Sequence, residues 1–238
     1  MSKDRIYQAS SGQIVDFVFD ARVVAVFPDM IRRSVPGYET VLPLSGLLAA
    51  RHMRRFRRCY DLGCSLGATA LAVLRNVDSA DARVIAVDNS AAMLARARTL
   101  HEAESRIEWV EADLLDTPII DADAVVMNYT LQFVTPAARL GLLARIRTSL
   151  APEGALIVSE KIRFEDAVLQ SEFEAAHLDF KRANGYSEME ISGKRTALEK
   201  TLLPDTESEH HERFAQAGFR QSHVWFRCLN WASFIAYP

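Results

Sequence analysis

The feature that most constrains the fold is a turn of small residues at positions 59–69, Cys-Tyr-Asp-Leu-Gly-Cys-Ser-Leu-Gly-Ala-Thr, which leads into a helical stretch. Small residues at positions 63, 65 and 67 let the backbone approach a ligand closely, and glycine also adopts conformations that are costly for residues with a Cβ. Asp61 lies just before the first glycine. The turn therefore predicts a strand that ends in a ligand-binding loop.

Apolar stretches typical of buried strands alternate with helical stretches after this loop. The predicted strands are 83–88, 107–112, 124–128 and 155–159, and the predicted helices are 68–76, 91–101 and 137–150. Strands that are apolar on both faces are typical of parallel sheets covered by helices, with right-handed crossovers. The sequence therefore predicts an α/β fold with a mostly parallel, doubly wound sheet.

The two ends of the chain depart from this alternation. Residues 165–204 form a charged helical stretch, which we interpret as an insertion before a last helix at 209–217 with Gly218 as its C-cap. Two β-rich stretches, 219–227 and 231–237, follow with a connection so short that it permits only an antiparallel pair. At the other end, apolar residues at helical spacing predict short helices within 14–30 and a helix at 42–53. We interpret them as an N-terminal helical lid within 1–55, flanking a ligand-binding domain at 56–238.

Composition narrows the class of protein. The chain has 238 residues, is 49% hydrophobic and carries a formal charge of -3, which is typical of one globular unit and argues against a large-RNA substrate. Cys59, Cys64 and Cys228 form no CxxC pair, which favours reduced thiols. No apolar stretch reaches the roughly 18 residues of a membrane span, and the N-terminus is polar. We expect a soluble, cytoplasmic protein.

Polar residues recur where the predicted strands end. Asp88 and Asn89 follow the second strand, Asp113 the third and Asn128 the fourth. Ligands of doubly wound sheets bind beyond these strand ends, and a carboxylate at the position of Asp88 accepts both hydroxyls of a ribose. A helix N-cap is the alternative role for Asp88, although Ser90 is equally able to cap, and a cap or turn is the alternative for Asp113.

Two classes of ligand fit the loop. A dinucleotide site has the pattern G-x-G-x-x-G/A, which Gly63-Cys-Ser-Leu-Gly-Ala68 meets only with serine at the second position, where a pyrophosphate prefers no side chain. S-adenosylmethionine proteins have an acid before the first glycine and a third small residue. Asp61-Leu-Gly63-Cys-Ser65-Leu-Gly67, with the antiparallel end pair, resembles the Rossmann-like class I S-adenosylmethionine methyltransferase fold.

Motifs outside the loop are similar to those of the carboxy-S-adenosyl-L-methionine synthase family. They are Val26-Phe-Pro-Asp-Met-Ile31, Arg33-Ser-Val-Pro-Gly-Tyr38, Tyr60-Asp-Leu-Gly-Cys-Ser-Leu-Gly67, Thr130-Leu-Gln-Phe133, Asp179-Phe-Lys-Arg-Ala-Asn-Gly-Tyr-Ser187, Glu190-Ile-Ser192 and Lys194-Arg195. A generic methyltransferase has no reason to carry the Pro-Gly-Tyr or Asn-Gly-Tyr-Ser segments. The resemblance therefore covers nearly the entire chain and is specific.

This resemblance implies carboxyl transfer rather than methyl transfer. The family converts S-adenosyl-L-methionine and prephenate to carboxy-S-adenosyl-L-methionine and phenylpyruvate, and no dedicated protein base is required because the hydroxide that leaves prephenate takes the methyl proton. The product supplies a tRNA carboxymethyltransferase that modifies hydroxylated wobble uridine to 5-oxyacetyl uridine. A homodimer is also implied, and we expect no direct tRNA binding by this chain.

The family's ligand contacts can be carried over to this sequence. They are Tyr38, Gly63, Cys64, Ser65, Asp88, Asn89, Asp113, Leu114, Asn128 and Arg195. The guanidinium of Arg195 matches the new carboxylate in two-point contact, although a surface arginine is the alternative, and the sequence leaves open whether it acts within its own subunit. Tyr38 is either core packing or part of the lid. Cys64 fits a small turn residue better than a nucleophile, because no histidine lies nearby to activate it.

Other charged residues carry simpler interpretations. The basic cluster fits a solvated helix end, with an RNA or subunit contact as the alternative; its members are Arg51, Arg54, Arg55, Arg57 and Arg58. The histidines at 177, 210, 211 and 223 are interpreted as structural or solvated, so no metal site is predicted. Two rival functions stay open: a small-molecule methyltransferase, and a non-catalytic S-adenosylmethionine-binding partner of a tRNA-modifying enzyme.

Overall fold

The computed structural model describes residue 4, residues 21–198 and residues 201–238, with the side chains of 21, 22, 194, 195 and 197 left out. The helices in this part of the chain are α1 (Ala21–Ser34), α2 (Tyr38–His52), α3 (Ala68–Leu74), α4 (Ala91–Leu100), α5 (Pro136–Ser149), α6 (Ala167–Ala183), α7 (Glu188–Leu198) and α8 (Glu207–Gln216). The strands are β1 (Arg58–Leu62), β2 (Arg83–Asp88), β3 (Ile107–Glu111), β4 (Ala122–Asn128), β5 (Leu150–Lys161), β6 (Gln221–Cys228) and β7 (Trp231–Tyr237).

The described strands form one sheet in the order β3-β2-β1-β4-β5-β7-β6. Strands β1 to β5 run parallel, and β7 is antiparallel to both β5 and β6. This arrangement confirms the predicted fold class, including the antiparallel end pair. The chain winds outward from β1 towards β2 on one side and from β4 towards β5 on the other, so a crevice opens at the carboxyl ends of β1 and β4.

Both faces of the sheet are buried along the central strands β1, β2, β4, β5 and β7, which explains their nearly continuous apolar stretches. On one face Leu62 and Val125 belong to the same buried cluster as Leu143 of α5. On the other face Val84 and Val126 pack in a cluster that includes Val73 of α3. The crevice is therefore held between two separate cores, and the residues at the strand ends have little freedom to move.

Several element boundaries differ from the predictions. Helix α2 begins at Tyr38 rather than at 42, because Gly37 adopts a left-handed φ of 80° and starts the helix directly after the Pro-Gly turn. Strand β5 begins at Leu150 rather than at 155, since Leu150 pairs with Ala122 ahead of the bulge. Pro152 and Gly154 interrupt the apolar pattern of β5, so the pattern did not predict that the strand begins before residue 155.

The ends of the chain agree with the predicted elements only in part. The helical stretch predicted at 14–30 is confirmed from residue 21 onward as α1, and residues 14–20 lie outside the described part of the chain. The predicted helical insertion consists of two helices, α6 and α7, which are separated where Gly185 takes a φ of 80°. The division into a lid at 1–55 and a domain at 56–238 stays a prediction.

Candidate functional site

A cavity of about 750 Å³ lies at the carboxyl ends of β1 and β4, in the size range of small-molecule sites. It is lined by residues of the glycine loop, of α1 and α2, of the segment after β4, and of α6. The predicted site residues among its lining are Tyr38, Gly63, Cys64, Ser65 and Asn128. Half of the predicted set therefore faces one space.

The glycine loop is held by backbone contacts. The N–H groups of Gly63 and Cys64 donate to the carbonyl of Val87, at 2.8 and 2.9 Å. Gly63 has a φ of +80°, and a Cβ at this position would lie 2.3 Å from Thr130 Oγ1. Ser65 also has a positive φ, of 48°. The loop is thus a tight turn against β2 that leaves no room for a side chain at Gly63.

Asp88 closes the loop from the end of β2. Its Oδ2 accepts the N–H of Ser65 and its Oδ1 accepts the N–H of Ser90, both at 2.8 Å. Ser90 is the N-cap of α4, with its side chain accepting the N–H of Met93, so Asp88 does not serve as that cap. Each carboxylate oxygen keeps a further lone pair for a ribose hydroxyl. Asn89 follows on the exposed side.

Asp61 supports the loop from inside. It is buried within β1, its Oδ2 accepts the N–H of Ala70 at 3.1 Å, and it does not belong to the cavity lining. Burial raises its pKa to about 7, and the hydrogen bond from Ala70 acts in the opposite direction. Asp61 therefore fixes the start of α3 relative to β1.

Asp113 and Leu114 lie after β3, outside the cavity lining. Asp113 is exposed, and its Oδ1 accepts the N–H of Leu115 at 2.8 Å, which is the turn role left open above. The carbonyl of Leu114 accepts Nη2 of Arg145 at 3.0 Å. Their assignment as ligand contacts stays a prediction. Its structural support is that β3 lies beside β2, the strand that ends at Asp88.

Asn128 ends β4 with one unsatisfied atom. Its Nδ2 donates to Ser45 Oγ at 2.9 Å and to Thr69 Oγ1 at 3.1 Å, which fixes the orientation of the amide. The Oδ1 atom is buried and has no hydrogen-bond partner among the described residues. A buried acceptor without a donor is costly, so this oxygen fits an N–H group of a ligand.

Arg195 lies on α7, and its side chain is outside the described part of the chain. That Arg195 binds the carboxylate of the product stays a prediction. Two other polar groups of the cavity, the Cys64 thiol and the Tyr38 hydroxyl, are not bases near neutral pH. Burial raises the pKa of the Cys64 thiol, and it raises the pKa of Tyr38 to about 12, so both groups are protonated near neutral pH. The pKa of Cys64 disfavours the nucleophile interpretation.

Tyr129 is a cavity residue that sequence reasoning missed. It follows β4 with a φ of 62°, a conformation uncommon for a residue with a side chain. Its ring centroid lies 5.9 Å from that of Tyr38 and 5.4 Å from that of Trp231. Positive φ at a bulky residue often marks a functional site, but the sequence offers no signal for it, since its cause is tertiary.

Glu160 holds the segment that carries Tyr129. Its buried carboxylate accepts the N–H groups of Thr130, Leu131 and Gln132, at 3.2, 2.8 and 3.1 Å. Burial raises the pKa of Glu160 to about 8, against the effect of these donors. The carboxylate anchors the turn after β4 in one conformation, and that conformation turns Tyr129 into its aromatic contacts.

The insertion docks on the N-terminal helix through Arg33. Its Nε donates to the carbonyl of Asn184 at 2.7 Å, its Nη2 donates to the carbonyl of Gly185 at 2.8 Å, and its guanidinium lies 3.9 Å from the ring centroid of Tyr186. On α6, His177 Nε2 contacts the carbonyl of Ser34 at 2.8 Å. The Arg33 and Asn-Gly-Tyr-Ser motifs therefore meet in one clamp beside the cavity.

The remaining histidines and the basic cluster lie away from the cavity lining. His210 is buried, His211 Nδ1 contacts Ser222 Oγ at 2.6 Å, and His223 is exposed. Arg57 pairs with Asp81 at 3.0 Å on the surface, as a solvated helix end would. Within the described residues there is no cluster of metal-binding side chains, and no helix has the length and apolarity to cross a bilayer.

Comparison with known proteins first defines a class. Residues 60–154 match the family model described as a methyltransferase domain. Human N-acetylserotonin methyltransferase in complex with SAM matches at a TM-score of 0.61 and 18% identity, over 91% of this chain. A putative O-methyltransferase from Nostoc punctiforme matches at 0.63 and 20%, over 92%. The chain spans 55% and 60% of these two structures, and it has the class I methyltransferase fold.

Full-length relatives then define the family. The chain is 51% identical to carboxy-S-adenosyl-L-methionine synthase from Geobacter metallireducens, over 98% of this chain and 97% of that protein. The protein of the same name from Pseudomonas entomophila is 51% identical over 100% of both, and that from Aliivibrio salmonicida is 48% identical over 98% of both. The chain belongs to the carboxy-S-adenosyl-L-methionine synthase family, which confirms the resemblance seen in its motifs.

Proposed function

We propose that this enzyme converts S-adenosyl-L-methionine and prephenate to carboxy-S-adenosyl-L-methionine and phenylpyruvate. The observation that carries the proposal is the 51% identity over nearly the full length to proteins named for this product. Identity of this extent covers the clamp and the insertion as well as the glycine loop. The loop by itself supports only an adenosyl ligand.

The proposed reaction balances without a protein base. Prephenate loses carbon dioxide and hydroxide as its ring becomes aromatic, which leaves phenylpyruvate. The hydroxide takes a proton from the sulfonium methyl group and forms water. The resulting carbanion attacks carbon dioxide, and a new C–C bond gives the S-carboxymethyl group. The protonated states of Cys64 and Tyr38 support this route, since neither of these cavity groups is a base at neutral pH.

The protein's part in this chemistry is to bind, orient and exclude water. Gly63 and Ser65 bring backbone close to the amino-acid tail, Asp88 accepts the ribose hydroxyls, and Oδ1 of Asn128 accepts an N–H group of the donor. Arg195 pairs with the carboxylate that the reaction creates. Exclusion of water is essential, because the carbanion would otherwise be quenched by a solvent proton.

Mass spectrometry with labelled substrate tests the proposal. Prephenate carrying ¹³C in its ring carboxylate is incubated with purified enzyme and S-adenosyl-L-methionine, and the nucleoside product is weighed. We expect a carboxylated product that carries the label. A product without the label, or unmodified S-adenosyl-L-methionine alone, would contradict the proposal.

A small-molecule methyltransferase is the second candidate, favoured by the match to a methyltransferase domain model. It predicts S-adenosylhomocysteine as the product and no consumption of prephenate. A non-catalytic binding partner of a tRNA-modifying enzyme predicts neither product. The labelled-prephenate experiment separates the proposed function from both rivals, because only that function forms a labelled nucleoside.

We also propose a cellular setting from the same resemblance. The carboxylated product supplies a separate carboxymethyltransferase that modifies wobble uridine in tRNA, and the chain works in the cytoplasm as a homodimer. The net charge of -3 supports the expectation that this chain does not bind tRNA directly. Light scattering of the purified protein tests the dimer, and a tRNA mobility-shift titration tests the lack of binding.

A further inference from the structure

Two lysines line the cavity away from the glycine loop. Lys161 ends β5, two strands from β1, and its N–H donates to Gln132 Oε1 at 3.0 Å. Lys181 lies on α6, and helical spacing places it on the same face as Glu174 and His177, which also line the cavity. A strand end and the inserted helix therefore each bring one ammonium group to the same space.

The charges of both lysines act on one side chain of the cavity lining, His177. The pKa of His177 is lowered to about 3, first by burial and then by the charges of Lys181 and Lys161. Its Nε2 contacts the carbonyl of Ser34, which requires the proton on that nitrogen. His177 is therefore a neutral part of the wall, and the positive charge beside it belongs to the lysines.

An aromatic surface lies beside the lysines. Trp231 is the cross-strand partner of Lys161, and its ring lies 5.8 Å from that of His177. Its Nε1 is buried and has no hydrogen-bond partner among the described residues. Tyr129 packs edge-on against Trp231 at 5.4 Å. This wall offers a flat apolar face with cationic groups beside it.

The use of lysine in the chain agrees with a special role. Lysine occurs at positions 3, 161, 181, 194 and 200, while arginine supplies nearly all other cations. Lys161 and Lys181, the two lysines whose side chains the structure describes, both line this cavity. Glu174 also lines it, where it accepts from Gln170 Nε2 at 2.7 Å, so the negative charge lies towards the start of α6 and the positive charge towards its end.

We propose that Lys161 and Lys181 bind the carboxylates of the second substrate, a cyclic dicarboxylic acid whose ring packs on Tyr129 and Trp231. This inference rests on the proposed function and assigns the subsite that its dianionic substrate requires. Two separated point charges suit two separated carboxylates, and an apolar wall suits the ring between them. The lysines are thus binding residues for the carboxyl donor, distinct from the residues that hold the adenosyl group.

Charge-removing variants test this assignment. Lys161→Met and Lys181→Met keep the length of the side chain, and each should raise the KM for prephenate by about 10- to 100-fold, as expected for losing one charged hydrogen bond. The dissociation constant of S-adenosylhomocysteine should change by less than about twofold. Lys161→Arg and Lys181→Arg should recover most of the loss. Arg182→Met on the same helix is the matched control, since Arg182 is exposed and outside the cavity lining.

Three results would overturn the assignment. An unchanged KM for prephenate means that the lysines do not contact it. Equal losses for prephenate and S-adenosylhomocysteine mean that they hold the adenosyl ligand. If the methionine variants unfold at a temperature low enough to explain their weaker use of prephenate, the lysines are structural.

Failure of the proposed function is recognised separately. If the wild-type enzyme consumes no prephenate, that function is wrong, and calorimetric titration with prephenate in the presence of S-adenosylhomocysteine, which carries no methyl group to react, still tests whether the lysines bind a dicarboxylate. Binding by wild type that both methionine variants lose supports the subsite. Equal binding by all three proteins, or none by wild type, overturns it.

Discussion

The two sides of the cavity are built in different ways. On the adenosyl side, the glycine loop and Asp88 are joined by a hydrogen bond across a sequence separation of 23 residues, between neighbouring strands. On the other side, which we call the clamp wall, Arg33 reaches Asn184 and Gly185 across separations of 151 and 152 residues. The adenosyl side suits any S-adenosylmethionine enzyme. We expect the clamp wall to be particular to this family, because it depends on helices from both ends of the chain.

The two sides should therefore respond differently to mutation, because only the clamp wall combines a role in selectivity with a role in holding the fold together. The adenosyl side rests on the central strands, between two buried clusters. The clamp wall rests on a few polar contacts that join α1 to the insertion, and regions held by few contacts open more easily than the core. We therefore expect damage to the loop to remove ligand binding, and damage to the clamp to remove selectivity and stability together.

The largest expected effect is at Gly63. Gly63→Ala should weaken S-adenosylhomocysteine binding by at least about 100-fold, because the left-handed φ costs about 1–2 kcal/mol and the new Cβ would also meet Thr130 Oγ1 at 2.3 Å. Isothermal titration measures the affinity. Gly141→Ala is the control, since a Cβ there has no neighbour within 4 Å. Normal binding by Gly63→Ala would show that the loop adapts.

The next effect is on the clamp. Arg33→Ala should lower the free energy of unfolding by about 3 kcal/mol, because Arg33 is buried and its partners Asp29, Asn184 and Gly185 would each lose a donor. Urea titration measures this loss. Arg182→Ala breaks only solvent-exposed pairs with Asp179 and Glu188, so it should cost much less stability than Arg33→Ala. Similar losses in both variants would mean that the clamp is ordinary surface.

A third comparison separates the two sides by ligand. Arg195→Ala should weaken binding of the carboxylated product by about 30-fold while leaving S-adenosylhomocysteine within about twofold, because only the product carries the extra carboxylate. Asp88→Asn should weaken both ligands alike, since both carry the ribose. Competition binding with the two nucleosides measures each ratio. Equal losses for both ligands in Arg195→Ala would make Arg195 structural.

The smallest effect concerns pH. His177 has its pKa lowered to about 3 by burial, so it stays neutral when folded, while its unfolded form takes a proton near pH 6.5. The unfolded chain then binds more protons between these values, and stability is lost as pH falls below 6.5, by about 1 kcal/mol at pH 5.5. His177→Gln should remove that part of the loss, which urea titrations at pH 5.5 and 7.5 measure.

The matched comparison for the pH effect is the parent protein at the same two pH values. This comparison cancels the buried acids Asp61 and Glu160, whose raised pKa values make stability fall as pH rises. If His177→Gln loses as much stability between pH 7.5 and pH 5.5 as the parent does, His177 is charged in the folded protein.

Much of the adenosyl side was predictable from sequence. Turn chemistry at Gly63 and the strand ending at Asp88 depend on neighbours along the chain, and the structure has both where the pattern predicted them. Ser90 capping α4 was foreseen in the same way. The limit is the position of the side chains, because the strand order places Asp88, Asn89, Asp113 and Leu114 at the right edge of the sheet while none of the four belongs to the cavity lining.

The sequence by itself determined the parallel sheet, the antiparallel end pair, the glycine loop and the family, because periodicity, turn residues and motifs are local properties of the chain. Only the tertiary structure decided that Arg33 would clamp Gly185, that Tyr129 would adopt a positive φ, and that Lys161 and Lys181 would share one wall. These features arise where β5, α1 and α6 converge. Such convergence depends on packing between segments more than a hundred residues apart, which no local pattern encodes.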